Sequence, residues 1–109
     1  MNRGERRALR YYERRGYRLV DANVRVGRYE LDLVLRRGRT LLVVEVKEKT
    51  GNGFGHPLEM IDAAKARRVH AAAWAWYAAH SEASGMELVV EAAAVRGTSV
   101  ESVPLDVVG

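Results

Sequence analysis

The stretch that decides the fold runs Arg28-Tyr-Glu-Leu-Asp-Leu-Val-Leu-Arg-Arg-Gly-Arg-Thr-Leu-Leu-Val-Val-Glu-Val-Lys47. Apolar and polar residues alternate over residues 28–36, which predicts a half-buried strand. The predicted faces hold Tyr29, Leu31, Leu33 and Leu35 on one side and Glu30, Asp32 and Val34 on the other. Residues 40–47 are almost wholly apolar and predict a central strand. A turn around Gly38 would join the two strands into a β-hairpin.

Two charged residues interrupt the otherwise apolar second strand. Glu45 and Lys47 stand two positions apart, so their side chains project from the same face of the sheet. A buried carboxylate is costly unless it is paired or bound to a metal ion. A simple Glu–Lys pair on a solvent-facing side would explain both residues without any function, and this strand alone favours that explanation.

Pairing of the two strands adds a second carboxylate to this face. A two-residue loop would set Glu30 opposite Glu45 with Asp32 diagonal to it, and a four-residue loop would set Asp32 directly opposite Glu45. Either loop places Asp32, Glu45 and Lys47 on one face, whereas a one-residue slip would not. Because like charges facing each other destabilise a sheet, we expect a cation between them. Carboxylate oxygens suit Mg²⁺ or Mn²⁺.

The rest of the chain predicts further elements on both sides of the hairpin. They are a helix over 4–15 ended by Gly16, a strand over 17–26 that is irregular near Asn23, a mobile glycine-rich loop over 48–56, a helix from Pro57 to about residue 80, a strand over 87–95 and a short edge strand over 99–103. The order α-β-β-β-α-β predicts an α/β domain with a mixed sheet flanked by helices.

Two charged residues share apolar faces of the predicted helices. Glu5 lies on the face of Ala8 and Tyr12, so it points inward or toward a rim, although it could equally complement the helix dipole. Lys65 lies on the face of Val69, where it could equally be a lysine whose stem covers apolar surface. Both interpretations remain open for each residue.

Composition bounds the class of protein. A chain of 109 residues with 48% hydrophobic residues predicts one domain with a sizeable core. The absence of cysteine excludes disulfides and thiolate metal sites. No apolar run approaches the roughly 20 residues of a membrane span, and no signal-peptide core follows Met1. We therefore expect a soluble cytoplasmic protein without a membrane partner.

The basic charge is concentrated in the first part of the chain. The net charge is +4, but residues 1–39 hold twelve arginines against five acidic residues, a local charge of +7. Arginine binds phosphate through a planar fork, so this part predicts contact with nucleic acid. An arginine-rich solvated surface would explain the charge equally well. The expected contacts begin with Arg6, Arg7, Arg10 and Arg14.

Six motifs in order and at matching spacing resemble the YraN-like predicted endonuclease family. They are Gly4-Glu5 with Gly16-Tyr17, Asn23-Val24-Arg25, Glu30-Leu31-Asp32-Leu33, Val44-Glu45-Val46-Lys47, Phe54-Gly55-His56-Pro57 and the helix lysine Lys65. The chain departs from the family pattern in three places. Tyr29 replaces a glycine, Lys49 replaces an arginine, and Val89-Val90-Glu91 replaces Arg-Phe-Asp.

The resemblance implies a restriction-endonuclease-like fold of the PD-(D/E)XK superfamily, related to Holliday junction resolvases. It implies that Asp32 and Glu45 bind Mg²⁺ or Mn²⁺, that Lys47 acts beside them, and that Glu5 is an additional acid. The Val46 carbonyl is an expected extra ligand. The implied function is a metal-dependent endonuclease acting on DNA, including branched or structured DNA.

The expected nucleic-acid contacts extend beyond the first helix, to Arg25, Lys49 and Lys65. The alternative function is a non-catalytic nucleic-acid-binding module on the same scaffold. Basic charge supports both functions, and the acid cluster favours the enzyme. The oligomeric state stays open, with a homodimer as one arrangement because two-fold substrates often bind dimers.

Overall fold

The structure, a computed structural model, describes residues 1–49 and 57–106. Its elements are α1 (Arg3–Glu13), β1 (Arg18–Val26), β2 (Tyr29–Arg37), β3 (Thr40–Lys49), α2 (Ala63–Ala79), β4 (Glu87–Arg96) and β5 (Ser99–Pro104), with short 3₁₀ helices at Pro57–Met60 and Ser81–Ala83. The predicted α/β order is confirmed. Residues 48 and 49 continue β3, and the rest of the predicted loop, 50–56, lies outside the described residues.

The sheet has the order β1-β2-β3-β4-β5, so the predicted central position of β3 and edge position of β5 are confirmed. The β3–β4 pair is parallel and the other pairs are antiparallel. Side chains of β3 pack into two separate hydrophobic cores. Leu41 and Val43 pack in the cluster that contains α2, and Leu42 and Val44 pack in the cluster that contains α1. The two helices therefore cover opposite faces of one sheet.

The first helix begins at a capping box. The Asn2 side chain accepts a hydrogen bond from the Glu5 backbone N–H at 2.7 Å, and the Glu5 carboxylate accepts one from the Asn2 N–H at 2.9 Å. This exchange satisfies two amide groups that a helix N-terminus otherwise leaves without partners. After the helix ends, Gly16 adopts a φ of 91°, which suits glycine. These local signals explain why the predicted helix is confirmed.

The second helix begins later than the sequence predicts. Pro57 opens a 3₁₀ helix rather than α2, so the predicted start at Pro57 is wrong. The helix starts after Asp62, whose side chain accepts a hydrogen bond from the Lys65 N–H at 2.8 Å. An aspartate N-cap satisfies a free amide directly, whereas proline only tolerates the position. The cap therefore decides the boundary.

The predicted strict alternation of β2 is wrong in its middle. Leu31 packs in the cluster of α2 together with Val34, while Leu33 and Leu35 pack in the cluster of α1. Side chains therefore change face between Leu31 and Leu33, at Asp32. The neighbouring strand β1 is irregular at the same level, where Asn23 has a φ of 50°. The predicted irregularity near Asn23 is confirmed, and it extends across both strands.

The hairpin register brings Asp32 opposite Glu45. Paired residues run from Arg37 with Thr40 to Leu33 with Val44, and one further step in this register joins Asp32 to Glu45. The turn contains two residues, so the expectation that a two-residue loop would set Glu30 opposite Glu45 is wrong. The two turn residues are Gly38, with a φ of 57°, and Arg39. The observed pairing of β2 with β3 therefore differs by two residues from the expected one.

None of the helices in residues 1–49 and 57–106 is long and apolar enough to cross a membrane.

We predict that Gly4→Ala destabilises the protein. A Cβ at Gly4 would lie 2.9 Å from Oε1 and 3.1 Å from Cβ of Glu48, because α1 approaches β3 closely there. Glycine-to-alanine changes inside helices usually stabilise by roughly 0.5–1 kcal/mol, but crowding should reverse the sign to a loss of about 1 kcal/mol. Urea unfolding measures the difference.

A Glu48→Ala background provides the control for this substitution. It removes the carboxylate that crowds Gly4, so Gly4→Ala should cost less there than in the wild-type chain. A gain in stability from Gly4→Ala in the wild-type background would contradict the close contact.

Candidate functional site

Two carboxylates meet where β2 changes face. Glu45 is 5% exposed, and its Oε1 accepts a hydrogen bond from the Tyr29 hydroxyl at 2.7 Å. Asp32 is half-buried, and its Oδ2 accepts a hydrogen bond from the Val46 backbone N–H at 2.8 Å. The two carboxyl groups lie within hydrogen-bonding reach of each other. The structure therefore brings Asp32 and Glu45 together, as the sequence predicts.

Their proximity changes the acidity of Asp32. Burial, and next the negative charge of Glu45, raise the pKa of this carboxyl to about 7. The Val46 N–H opposes both effects because it stabilises the ionised form. Above about pH 7, the folded chain thus holds two carboxylates that repel each other in a partly dehydrated place.

Two lysines face the same carboxylates. Lys65 of α2 contacts Lys47 of β3, and both Glu45 and Asp32 act on it electrostatically. Burial lowers the pKa of Lys65, and the Lys47 charge lowers it further, while the two acids oppose the change. We call Asp32, Glu45, Lys47 and Lys65 the acid–lysine cluster. It places two cations beside two anions on the α2 side of the sheet.

Glu5 reaches the edge of this cluster from the opposite face. It is 6% exposed, and its Oε1 accepts hydrogen bonds from the Asn2 N–H and, at 3.1 Å, from Asn23 Nδ2. Its charge contributes to raising the pKa of Asp32. Glu5 therefore serves as a helix cap and lies inward as well, which joins the two interpretations that its sequence position left open.

The prediction that Glu30 shares a face with Asp32 is wrong. It is exposed and accepts a hydrogen bond from Asn23 Nδ2 at 3.3 Å, the same amide that binds Glu5. The face change at Asp32 separates the two acids, although they are two residues apart. Glu91 is also apart from the cluster, since it accepts a hydrogen bond from the Tyr12 hydroxyl at 2.9 Å.

Tyr29 is a site residue that sequence reasoning missed. Its hydroxyl contacts Glu45 directly, and burial and the two acids raise the pKa of Tyr29, so it stays a hydrogen-bond donor. The sequence did mark this position as unusual, because Tyr29 stands where the family that the chain resembles has glycine. The sequence could not show the contact itself, because Tyr29 and Glu45 are not paired across β2 and β3. They meet because the tyrosine side chain is long enough to reach Glu45.

The donor set suits a hard divalent cation. Among the described residues, no three histidine, cysteine, aspartate or glutamate side chains cluster as metal ligands. Mg²⁺ does not require three, because it retains water and binds through one or two carboxylates. Asp32 and Glu45 provide two such groups, and their mutual repulsion when both are ionised favours a cation between them. The residues therefore fit Mg²⁺ or Mn²⁺.

The predicted nucleic-acid residues lie in several places. Arg6 is exposed and binds the Met1 carbonyl at 2.6 Å, and Arg7 binds the Gly97 carbonyl. Arg10 and Arg14 are exposed on the same helix, Arg25 is exposed on β1, and Lys49 is half-buried at the end of β3. Lys65 belongs to the acid–lysine cluster. The structure thus divides these cations between the two faces of the sheet and its edges.

Comparison with known sequences identifies relatives over most of the chain. A family model described as "Uncharacterised protein family UPF0102" matches residues 4–108. A UPF0102 protein of Clavibacter michiganensis is 43% identical over 83 residues, which cover 76% of this chain and 70% of the relative. One of Beutenbergia cavernae is 41% identical over 95 residues, covering 87% and 80%. One of Arthrobacter is 41% identical over 78 residues, covering 72% and 66%.

We predict that Asp32→Asn stabilises the metal-free protein at pH 8 by about 2 kcal/mol, allowing for partial hydration of the carboxyl. Folding raises the pKa of Asp32 from 3.8 to about 7, so the folded state binds its proton more tightly than the unfolded state. The stability from this proton is present below about pH 4 and is lost as pH rises to 7.

Urea unfolding in EDTA between pH 4 and pH 8 measures this effect. The variant should show a smaller fall in stability across that interval, and the two proteins should converge at low pH. Parallel pH profiles would contradict the close approach of Asp32 and Glu45.

Proposed function

The chain belongs to the uncharacterised protein family UPF0102, which is the YraN-like family that its motifs resemble, and we propose that it is a metal-dependent nuclease that hydrolyses phosphodiester bonds in DNA. The observation that carries this proposal is the acid–lysine cluster. Two carboxylates that repel each other lie beside two lysines at a half-buried position. A cation and a phosphate together would satisfy all four groups.

A structural role explains the cluster less well. Buried ion pairs contribute little net stability, and Asp32 has a raised pKa, which marks a carboxyl whose ionised form is disfavoured in the fold. Strongly shifted acids beside specific charged partners occur most often at functional sites. Hydrophobic residues at these positions would continue the surrounding apolar core of β3 at lower cost.

The residues divide the proposed chemistry among them. Asp32, Glu45 and the Val46 carbonyl would hold Mg²⁺ or Mn²⁺, which when bound supplies Lewis acidity at a phosphoryl oxygen and lowers the pKa of water. Lys47 would stabilise negative charge that develops on the phosphoryl oxygens during attack by water. Lys65 would contact the same phosphate from α2. Tyr29 would keep Glu45 in one orientation by its hydrogen bond.

Binding would precede this chemistry through the basic half of the chain. The arginines of residues 1–39 give that segment a charge of +7, and most are exposed. Contacts with phosphate hold nucleic acid without reading its sequence. A nuclease built in this way would select its substrate by shape and charge.

We predict metal-dependent cleavage that requires the carboxylates. Mg²⁺ or Mn²⁺ should support cleavage in a panel of duplex, branched and single-stranded DNA, while Ca²⁺, a weaker Lewis acid, should support binding with little cleavage. Glu45→Gln and Asp32→Asn should each lower kcat by at least about 100-fold, consistent with a general contribution of 2.7 kcal/mol or more. Single-turnover rates measure the loss.

Two further variants separate chemistry from metal binding. Lys47→Ala should lose cleavage but retain Mn²⁺ affinity, because lysine provides no metal ligand, whereas Tyr29→Phe should weaken Mn²⁺ binding with a smaller loss of rate. Cleavage that persists undiminished in Glu45→Gln would assign the activity to a contaminant or another site. No cleavage of any DNA with either metal would leave the non-catalytic binding module as the function.

We predict that binding to DNA weakens steeply with salt. Each phosphate contact releases counterions, so the slope of log K against log salt should be about −0.9 for each contact on a duplex and about −0.7 on a single strand. Fluorescence anisotropy from 50 to 300 mM salt measures the slope. A flat response, or no binding at low salt, would count against any function on nucleic acid.

A further inference from the structure

A pocket on the α1 side of the sheet is lined by three arginines. Its volume is about 210 Å³, and its lining residues are Arg7, Arg10, Tyr11, Arg14, Thr98 and Val100. The first four come from α1 and its C-cap, and the last two come from the turn between β4 and β5 and the strand that follows. Spacings of three and four residues place the arginines on one face of the helix. Three arginines thus line one opening.

Several contacts hold the walls of this pocket in place. Arg7 donates to the Gly97 carbonyl, which ties the helix to the β4–β5 turn. The Tyr11 hydroxyl is hydrogen-bonded to Ser102 Oγ at 2.8 Å, and the Arg15 guanidinium stacks on the Tyr11 ring at 3.5 Å. A site that is fixed before binding costs less entropy to occupy.

The arginines of the pocket carry positive charge that the described chain does not neutralise. Neither Arg10 nor Arg14 forms an ion pair within residues 1–49 and 57–106, and Arg7 contacts a carbonyl rather than a carboxylate. By contrast, Arg3 at the start of the same helix lies 3.7 Å from the Glu48 carboxylate. The pocket therefore favours an anion with several oxygen atoms, such as a phosphate group, which arginine binds in pairs of hydrogen bonds.

The pocket and the acid–lysine cluster lie on opposite sides of the sheet. Glu45 continues the face of Leu41 and Val43 toward α2, whereas α1 packs on Leu42 and Val44. Along α1, Glu5 marks the end nearest Asp32. With a rise of 1.5 Å per residue, Arg10 and Arg14 lie about 8 and 14 Å farther along the axis. One phosphate cannot contact both sites.

We propose that the arginine pocket binds a second phosphodiester segment of the nucleic acid, away from the phosphate that is cut. This inference rests on the proposed function for the identity of the ligand. A span of 14 Å corresponds to about four nucleotides of one strand at 3.4 Å each. The substrate therefore extends at least that far beyond the scissile phosphate and bends around the edge of the sheet near α1.

A metal-free binding experiment with two charge-matched variants tests the pocket. Arg10→Gln/Arg14→Gln removes two pocket arginines, and Arg18→Gln/Arg36→Gln removes two arginines that are cross-strand neighbours in β1 and β2. Both variants change the net charge equally. Binding to a fluorescent 16-nucleotide strand and duplex is measured in EDTA by anisotropy across salt concentrations. Circular dichroism melts establish that both variants are folded.

The pocket variant should bind roughly 10–100-fold more weakly than wild type near 0.1 M salt, and its salt slope should fall by about 1.4 on the strand and 1.8 on the duplex. The control variant should lose much less affinity. Equal losses in both variants would overturn the proposal, because they would reflect net charge alone. Competition with inorganic pyrophosphate is a second test. If the pocket binds pyrophosphate more tightly than the 16-nucleotide strand, the proposal is overturned in favour of a free phosphate ligand.

Cleavage kinetics separate this inference from the nuclease function. On a long substrate, the pocket variant should raise KM while leaving kcat unchanged, and on a substrate with two nucleotides on each side of the cut it should match wild type. If only the pocket variant loses binding and neither the wild type nor the variants cleave DNA, the pocket is supported and the nuclease function is overturned. Normal binding and KM in the pocket variant, with active cleavage, would overturn the pocket and leave the nuclease standing.

Discussion

The repulsion between Asp32 and Glu45 is the constraint on which the rest of this site depends. The hairpin register sets the two carboxyl groups against each other at a half-buried level of the sheet. Each has one hydrogen-bond donor fixed by the fold, the Val46 N–H for Asp32 and the Tyr29 hydroxyl for Glu45. These donors orient the carboxylates without neutralising them. The close approach of the two acidic groups is what makes the place suited to a cation.

The interruption of strand β2 adds Tyr29 to this arrangement. In an unbroken strand, Tyr29 and Leu31 would share the face of Leu33, but the side chains change face at Asp32, and Tyr29 and Leu31 pack toward α2 on the side of Glu45. Strand β1 carries the matching irregularity at Asn23, whose amide holds both Glu5 and Glu30. Irregular pairing of this kind re-aims side chains and recurs next to functional sites. Both strands give up regular packing at the level of the carboxylates.

The acid–lysine cluster and the arginine pocket are kept apart by the thickness of the sheet. The acid–lysine cluster faces α2, while the arginine pocket lies beside α1. On the proposed function, this separation would keep the arginines from neutralising the carboxylates. A polyanion would be drawn to the arginine side by charge, and the acids would contact it through a cation. The sheet would then separate the surface that binds from the site that reacts.

The sequence by itself determined the element order, the central position of β3 and the approach of Asp32 to Glu45, because periodicity, caps and charges in apolar strands are local signals. Only the tertiary structure decided the face change at Asp32 and the contact between Tyr29 and Glu45. It also joined Arg7, Arg10 and Arg14 with Thr98 in one pocket. These features depend on packing between segments distant in the chain, where the free energy of a whole core outweighs the preference of any one residue.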